Sequence, residues 1–259
     1  MRLRAGCDIT IRAPVPTALV AMLRPRSGDA QWVSSESYHF DPPVRAMEYV
    51  DSFGNLCQRL TVPAQSFRIQ TESVVETDDE ISVCPGAPRT PPHDLPNYTL
   101  QYLLPSRYCP SDRLVDLARE VTAGNADGYD QAEAIRAWIR SNIAYRYGVS
   151  DVSTSALETL QDGAGVCRDY SHIGLSLCRA LFIPARIVVG YLHQLDPMDL
   201  HAWFEAFVDG RWYTFDAPQD EPRGGRIAIA YGRDAADVAL ITEIGELRTE
   251  SIRVRVDRA

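Results

Sequence analysis

Apolar and polar positions alternate in short runs from residue 3 to about residue 77. Leu3, Ala5, Cys7, Ile9 and Ile11 interleave with polar partners, the period of a half-buried strand. Residues 18–23 form an apolar run, closed by Arg24-Pro25-Arg26-Ser27-Gly28-Asp29, a turn-forming cluster. Strand-like segments follow around residues 33–40, 46–51, 56–62 and 67–75, with Phe53-Gly54-Asn55 as a turn between two of them. Short strands at this spacing predict a β-sandwich-like module over residues 1–85. Cys84-Pro85-Gly86-Ala87-Pro88-Arg89-Thr90-Pro91-Pro92 then breaks the pattern, because proline lacks an N–H donor and fixes φ. Residues 86–110 therefore read as a Pro-rich linker to a second module, 111–259.

That module opens with a helical period. Ser111 is a candidate N-cap before Leu114, Leu117, Ala118 and Val121, and Gly124 ends the pattern. A longer helix is expected over residues 129–145, burying Ile135, Trp138, Ile139 and Ile143, and a short one over 154–160. After Gly163-Ala164-Gly165, residues Val166, Tyr170, Ile173, Leu177 and Leu181 recur at steps of three and four, so one face of a helix is buried there. The period next switches to two. Residues 185–193, 201–208 and 211–216 read as strands, with Asp209-Gly210 a hairpin turn for the last pair. Residues 247–256 alternate again.

Composition narrows the classes. The chain has 259 residues, 45% hydrophobic and 24% charged, ordinary for a globular protein with a real core. No apolar run approaches the roughly 18 residues that span a bilayer, so no membrane association is expected. The N-terminus lacks the apolar region of a secretion signal, and the expectation is cytoplasmic. A net charge of −9 argues against nucleic acid as a partner. The six cysteines show no CxxC spacing, so free thiols are the default. No EF-hand loop is visible, and Cys167, His172, Cys178 and His201 lack zinc-ligand spacing; neither metal nor other cofactor is expected.

The chemistry concentrates at Cys167. The glycine turn delivers it to the start of a helix, where unpaired N–H groups and the helix dipole favour a thiolate. Those N–H groups also suit an oxyanion formed when a thiolate attacks a carbonyl. A cysteine nucleophile needs a base and a group to orient that base. Of five histidines, His39 and His93 lie in the first module and linker. His172, five residues along, points away from the cysteine's face at about 100° per residue. His193 ends a strand and stays open by position alone. His201 has the better case, because the hairpin through Asp209-Gly210 places Asp216 opposite about residue 203, within about two residues of His201. A carboxylate there fixes the imidazole tautomer and favours its charged form. Spacing alone does not say that Cys167 packs against this hairpin. Asp169 reads as a helix N-terminal charge, and Trp138, Trp203 and Trp212 as core or cleft wall. A second oxyanion donor from the Trp138 to Tyr147 region is open.

Gly163 to Tyr170, Ile183-Pro184-Ala185-Arg186-Ile187-Val188-Val189-Gly190-Tyr191, His201-Ala202-Trp203-Phe204-Glu205 and Trp212-Tyr213-Thr214-Phe215-Asp216-Ala217 together resemble the core of the transglutaminase-like superfamily. The nearer likeness is to its bacterial, cysteine-protease-like branch. The likeness covers about residues 130–218, and the first module resembles the β-rich domain that often accompanies such cores. It implies an α+β, papain-like core on which Cys167, His201 and Asp216 form a catalytic triad, with Arg186 bracing a strand. Ala217 departs from the proline common after the aspartate, and Pro218 follows one place later. The expected activity is thioester-forming attack on amide or peptide bonds of a peptide or protein substrate, with hydrolysis ahead of transamidation. A binding or assembly module with an idle triad is the alternative, and homo-oligomerisation through the N-terminal β module a further expectation.

Overall fold

The alternation of the first module builds two sheets. The computed structural model describes residues 1–28 and 30–259; Asp29, at the end of the expected turn cluster, lies outside them. Strands β1 (Arg2–Ala13), β2 (Thr17–Arg24), β3 (Gln31–Asp41), β4 (Met47–Val50), β5 (Leu56–Val62) and β6 (Gln65–Thr77) occupy the predicted segments. Their inward residues, among them Ile9, Ile11, Leu19, Leu23, Leu60, Val62, Phe67 and Ile69, form one apolar core between the sheets.

Neither sheet is complete without the far end of the chain. β13 (Ile241–Ile244) pairs with β2, and β14 (Arg248–Arg258) pairs with β1 along its length, from Leu3 opposite Arg258 to Arg12 opposite Arg248. The sheet orders are β14-β1-β6-β3 and β13-β2-β5-β4. Residues 111–259 are therefore not one spatial module. The last two strands cover what would otherwise be open sheet edges in the first, where unpaired N–H and C=O groups carry a cost.

Between these strands lies the α+β core. It comprises α1 (Val115–Val121), α2 (Tyr129–Asn142), β7 (Ala144–Tyr145), α3 (Ala156–Asp162), β8 (Ala164–Gly165), α4 (Cys167–Ala180), β9 (Ala185–Leu192), β10 (His201–Val208), β11 (Arg211–Phe215) and β12 (Arg226–Gly232). The antiparallel sheet runs β11-β10-β9-β12. The α2 helix stops three residues short of its expected end, because the Ala144 and Arg146 N–H groups donate instead to Gly163 and Gly165 oxygens at 2.8 and 3.0 Å. The 86–110 segment is packed against the core, with Ala87, Leu95, Tyr102, Tyr108 and Cys109 buried and a 3-10 helix at Asn97–Leu103.

Helix α4 lies flat on this sheet. At Gly174 a Cβ would sit 2.4 Å from the Phe204 ring of β10, so only glycine admits the approach. Asp209 and Gly210 both take positive φ, 48° and 78°, which gives the β10–β11 hairpin the twist of a two-residue turn.

Strand β12 was not foreseen, since 227–230 alternates only isoleucine with alanine. It is held from the first module by side-chain amides acting as peptide groups. The Gln31 amide exchanges two 2.8 Å hydrogen bonds with the Ala228 backbone, and Asn55 exchanges two of 2.8 Å with Tyr231. The Thr77 hydroxyl donates to the Arg226 carbonyl at 2.7 Å. Gln31 and Asn55 are buried, so truncation leaves backbone groups of β12 unpaired away from water. Asn55→Ala is expected to lower stability by about 1–3 kcal/mol, read as an earlier midpoint in equilibrium urea unfolding.

Candidate active site

The cysteine is presented by a rigid turn. Gly163, with φ of 63°, ends α3 in the left-handed conformation, and extended Val166 precedes Cys167, the first residue of α4. Gly165 has no room for a side chain, since a Cβ there would lie 2.7 Å from that of Asp169. Asp169 is fully buried and accepts the Val166 N–H at 2.9 Å and the Ser150 hydroxyl at 2.5 Å. It caps the helix start and locks the turn, as a first-turn carboxylate should. Cys167 itself is half-buried, whereas Cys7, Cys57, Cys109 and Cys178 are buried. Burial pushes the Cys109 and Cys178 thiols up to about 12.

His201 opens β10 and Asp216 follows the last residue of β11, in a hairpin that pairs Phe204 with Phe215. His201 Nε2 lies 2.8 Å from Asp216 Oδ2, with both side chains almost wholly buried. Burial disfavours the imidazolium, but the Asp216 charge and hydrogen bond, with a hydrogen bond to Cys167, outweigh it and raise His201 to about 9. Burial likewise opposes ionisation of Asp216, yet the charges of His201 and Arg226 bring it down to about 2. With Nε2 committed to the carboxylate, Nδ1 is the imidazole nitrogen left for the thiol. The three side chains that the hairpin and helix spacing singled out therefore stand together.

Two neighbours were not foreseen by number. Tyr145, on β7 opposite Gly165, has its phenol beside Cys167. Burial, then the electrostatic influence of Cys167, raises that phenol well above the ordinary range. Arg226 Nη2 lies 2.8 Å from the Asp216 oxygen that His201 contacts. It sits at the start of the unforeseen strand, and no motif or spacing in the chain marks it.

The remaining candidates take structural places. His172 is buried, stacks on Tyr108 with ring centroids 5.1 Å apart, and accepts the Ala235 N–H at 3.2 Å. Burial, then the Arg168 charge, pushes it down to about 3, so it stays neutral. The His193 backbone N–H donates to Gly225. Arg186 pairs with Glu205 at 2.6 Å, and its guanidinium lies 4.2 Å from the ring centres of both Trp212 and Tyr231. A cavity of about 700 Å³ between the modules is lined by Phe53, Arg186, Trp203, Trp212 and Arg226, but by neither Cys167 nor His201. Among the described residues no group of three or more His, Cys, Asp and Glu side chains is placed to hold a metal ion, and no helix is long and apolar enough to cross a membrane.

The fold is that of a transglutaminase-like protein. Residues 115–217 match the model of the transglutaminase-like superfamily core, and residues 14–76 that of the bacterial transglutaminase-like N-terminal region. The chain belongs to this superfamily. It is similar to the crystal structure of a putative cysteine protease from Cytophaga hutchinsonii, with 33% identity and a TM-score of 0.90 over 99% of this chain and 90% of that one. An uncharacterized protein of Mycobacterium leprae is 30% identical across 85% of this chain and 83% of its own length. An uncharacterized protein of Mycobacterium tuberculosis is 24% identical across 91% of this chain and 84% of its own.

The titrations carry a stability signature. An unfolded histidine titrates near about 6.5, and His201 in the fold near about 9. Its stabilising effect is therefore full below about pH 6.5 and is lost as pH rises through about 9. The Asp216 effect is present above its unfolded value of about 3.9 and is lost as pH falls towards about 2. Melting temperatures measured from pH 6 to 10 should decline across the upper window in the wild type, and less steeply in His201→Gln.

Proposed function

We propose that this protein is a thiol-dependent amide hydrolase working through a Cys167, His201 and Asp216 triad. The observation that carries this reading is the half-buried Cys167 at a helix start, beside an imidazole whose far nitrogen is held at 2.8 Å by a buried carboxylate. His201 Nδ1 accepts the thiol proton, and the Cys167 sulfur attacks the carbonyl carbon of an amide. The Cys167 backbone N–H, at the positive end of α4, and the Tyr145 phenol receive the oxyanion. Collapse of the tetrahedral intermediate breaks the C–N bond, and the His201 imidazolium delivers its proton to the departing amine. A thioester remains. His201 then takes a proton from water as it attacks the thioester, giving the carboxylic acid and returning the thiol. Asp216 keeps the imidazole oriented throughout.

The cysteine-protease description of the Cytophaga hutchinsonii protein supports water as the acceptor. The superfamily's own name supports an amine as the second acceptor, through the same thioester. Incubation with a glutamine peptide and with longer peptides, with and without a primary amine, separates them by mass. Hydrolysis gives carboxylate products regardless of amine, and transamidation gives the amine adduct.

Two measurements test the machinery. Intact-mass analysis after brief iodoacetamide treatment should find a single label at Cys167, slowed in His201→Ala and absent in Cys167→Ser. Labelling of Cys167 no faster than that of the other thiols would point to an idle site. Alkylation forms no oxyanion, whereas acylation does. Tyr145→Phe should therefore lower acylation by an ester or amide by about a hundredfold while alkylation continues at the wild-type rate.

A further inference from the structure

We propose that Arg226 is a positioning residue of this site, fixing the Asp216 carboxylate and setting the charge that His201 experiences. The proposal rests on the triad reading above. It starts from a shared atom: Asp216 Oδ2 lies 2.8 Å from both His201 Nε2 and Arg226 Nη2, while Oδ1 has no partner among the described residues. The Arg226 approach lies off the hydrogen-bonding angle, so it acts chiefly through charge.

Arg226 is built to stay in place. It is 7% exposed. Its Nε donates to the Arg223 carbonyl at 3.1 Å, and its guanidinium stacks 5.0 Å from the centre of the Trp203 ring. Its own carbonyl accepts the Thr77 hydroxyl, so the first module holds the backbone that carries it.

The reason for a fixed cation lies in the reaction cycle. His201 alternates between imidazolium and imidazole as it takes and gives its proton. In the imidazole state Asp216 would be a buried carboxylate beside a neutral ring, which is costly and favours protonation. A permanent guanidinium on the same oxygen keeps Asp216 ionised in both states, so the ring orientation does not lapse midway. The other charged groups facing Asp216 are Arg136 from α2 and Arg223 from the loop before β12; Cys167 of α4 faces His201. Arg136 is already engaged by Glu133 at 2.7 Å. Among the described residues Arg223 forms no ion pair with Asp216, donates instead to Gln219 Oε1 at 2.8 Å, and is itself opposed by the Arg226 charge. Arg226 is the cation in contact.

The test is the pH profile of Cys167 alkylation by iodoacetamide, from pH 4 to 10, followed by intact mass. Removing a cation makes every neighbouring group hold its proton more tightly, so in Arg226→Gln the inflections of this profile should move up by about one unit. Arg226→Lys keeps a cation with a shorter reach to the carboxylate, and its inflections should move in the same direction by less. Thermal unfolding checks that each variant is folded. If Arg226→Gln does not fold, the Arg226→Lys profile decides. A lowered rate with unmoved inflections in the folded variants would mean that Arg226 is only a packing residue, and would overturn the proposal while leaving the triad intact. Wild-type labelling indifferent to His201→Ala would overturn the triad reading itself, and this proposal with it.

Discussion

The contact between Gly174 and the Phe204 ring sets the separation of α4 from the sheet, and the rest of the site depends on it. The thiol is borne by the first residue of α4, and the imidazole by the first residue of β10. Any side chain at position 174 would drive helix and strand apart, because a Cβ would overlap the ring at 2.4 Å. Neither Cys167 nor His201 can compensate, being locked respectively by the Asp169-capped turn and by the β10–β11 hairpin. Close-packed interiors transmit such a displacement instead of absorbing it. Site geometry is thus decided by a packing contact that carries no chemistry.

Much of the site was legible because it is local or nearly so. A glycine turn before a helical period is readable within about ten residues, and it located Cys167. The hairpin register is readable because a two-residue turn dictates pairing, which brought Asp216 to His201. Their meeting with Cys167 was not readable from spacing; it depends on how α4 lies across the sheet, and only the family likeness suggested it. Arg226 was invisible for a stronger reason. Its strand has a weak pattern, and that strand is stabilised by Gln31 and Asn55, which lie far away in the chain and look like ordinary polar residues. The C-terminal return was hidden likewise. Alternation at 247–256 announces a strand but not which sheet it joins, and β14 joins the sheet of β1.

The two modules are mechanically one object. Gln31 and Asn55 act as a discontinuous strand along β12, and Thr77 fixes the residue of β12 that touches Asp216. The N-terminal β module therefore contributes to the site without presenting a side chain to it. Side-chain amides suit this work because each offers one donor and one acceptor face at the spacing of a peptide group. Burial makes their loss costly.

The pairing of β1 with β14 also bears on the order of assembly. Strand β1 must wait for β14 before its sheet is whole, while α4 and the β10–β11 hairpin, which carry the candidate site, are synthesised in between. Contacts between such distant segments close slowly. During synthesis Cys167 therefore emerges before the sheet that holds Gln31 and Thr77 is complete. A chain that has not yet made β14 would hold the Cys167 thiol in an unfinished setting. This topology acts as a timer, delaying the finished setting of the candidate site until β14 has been made.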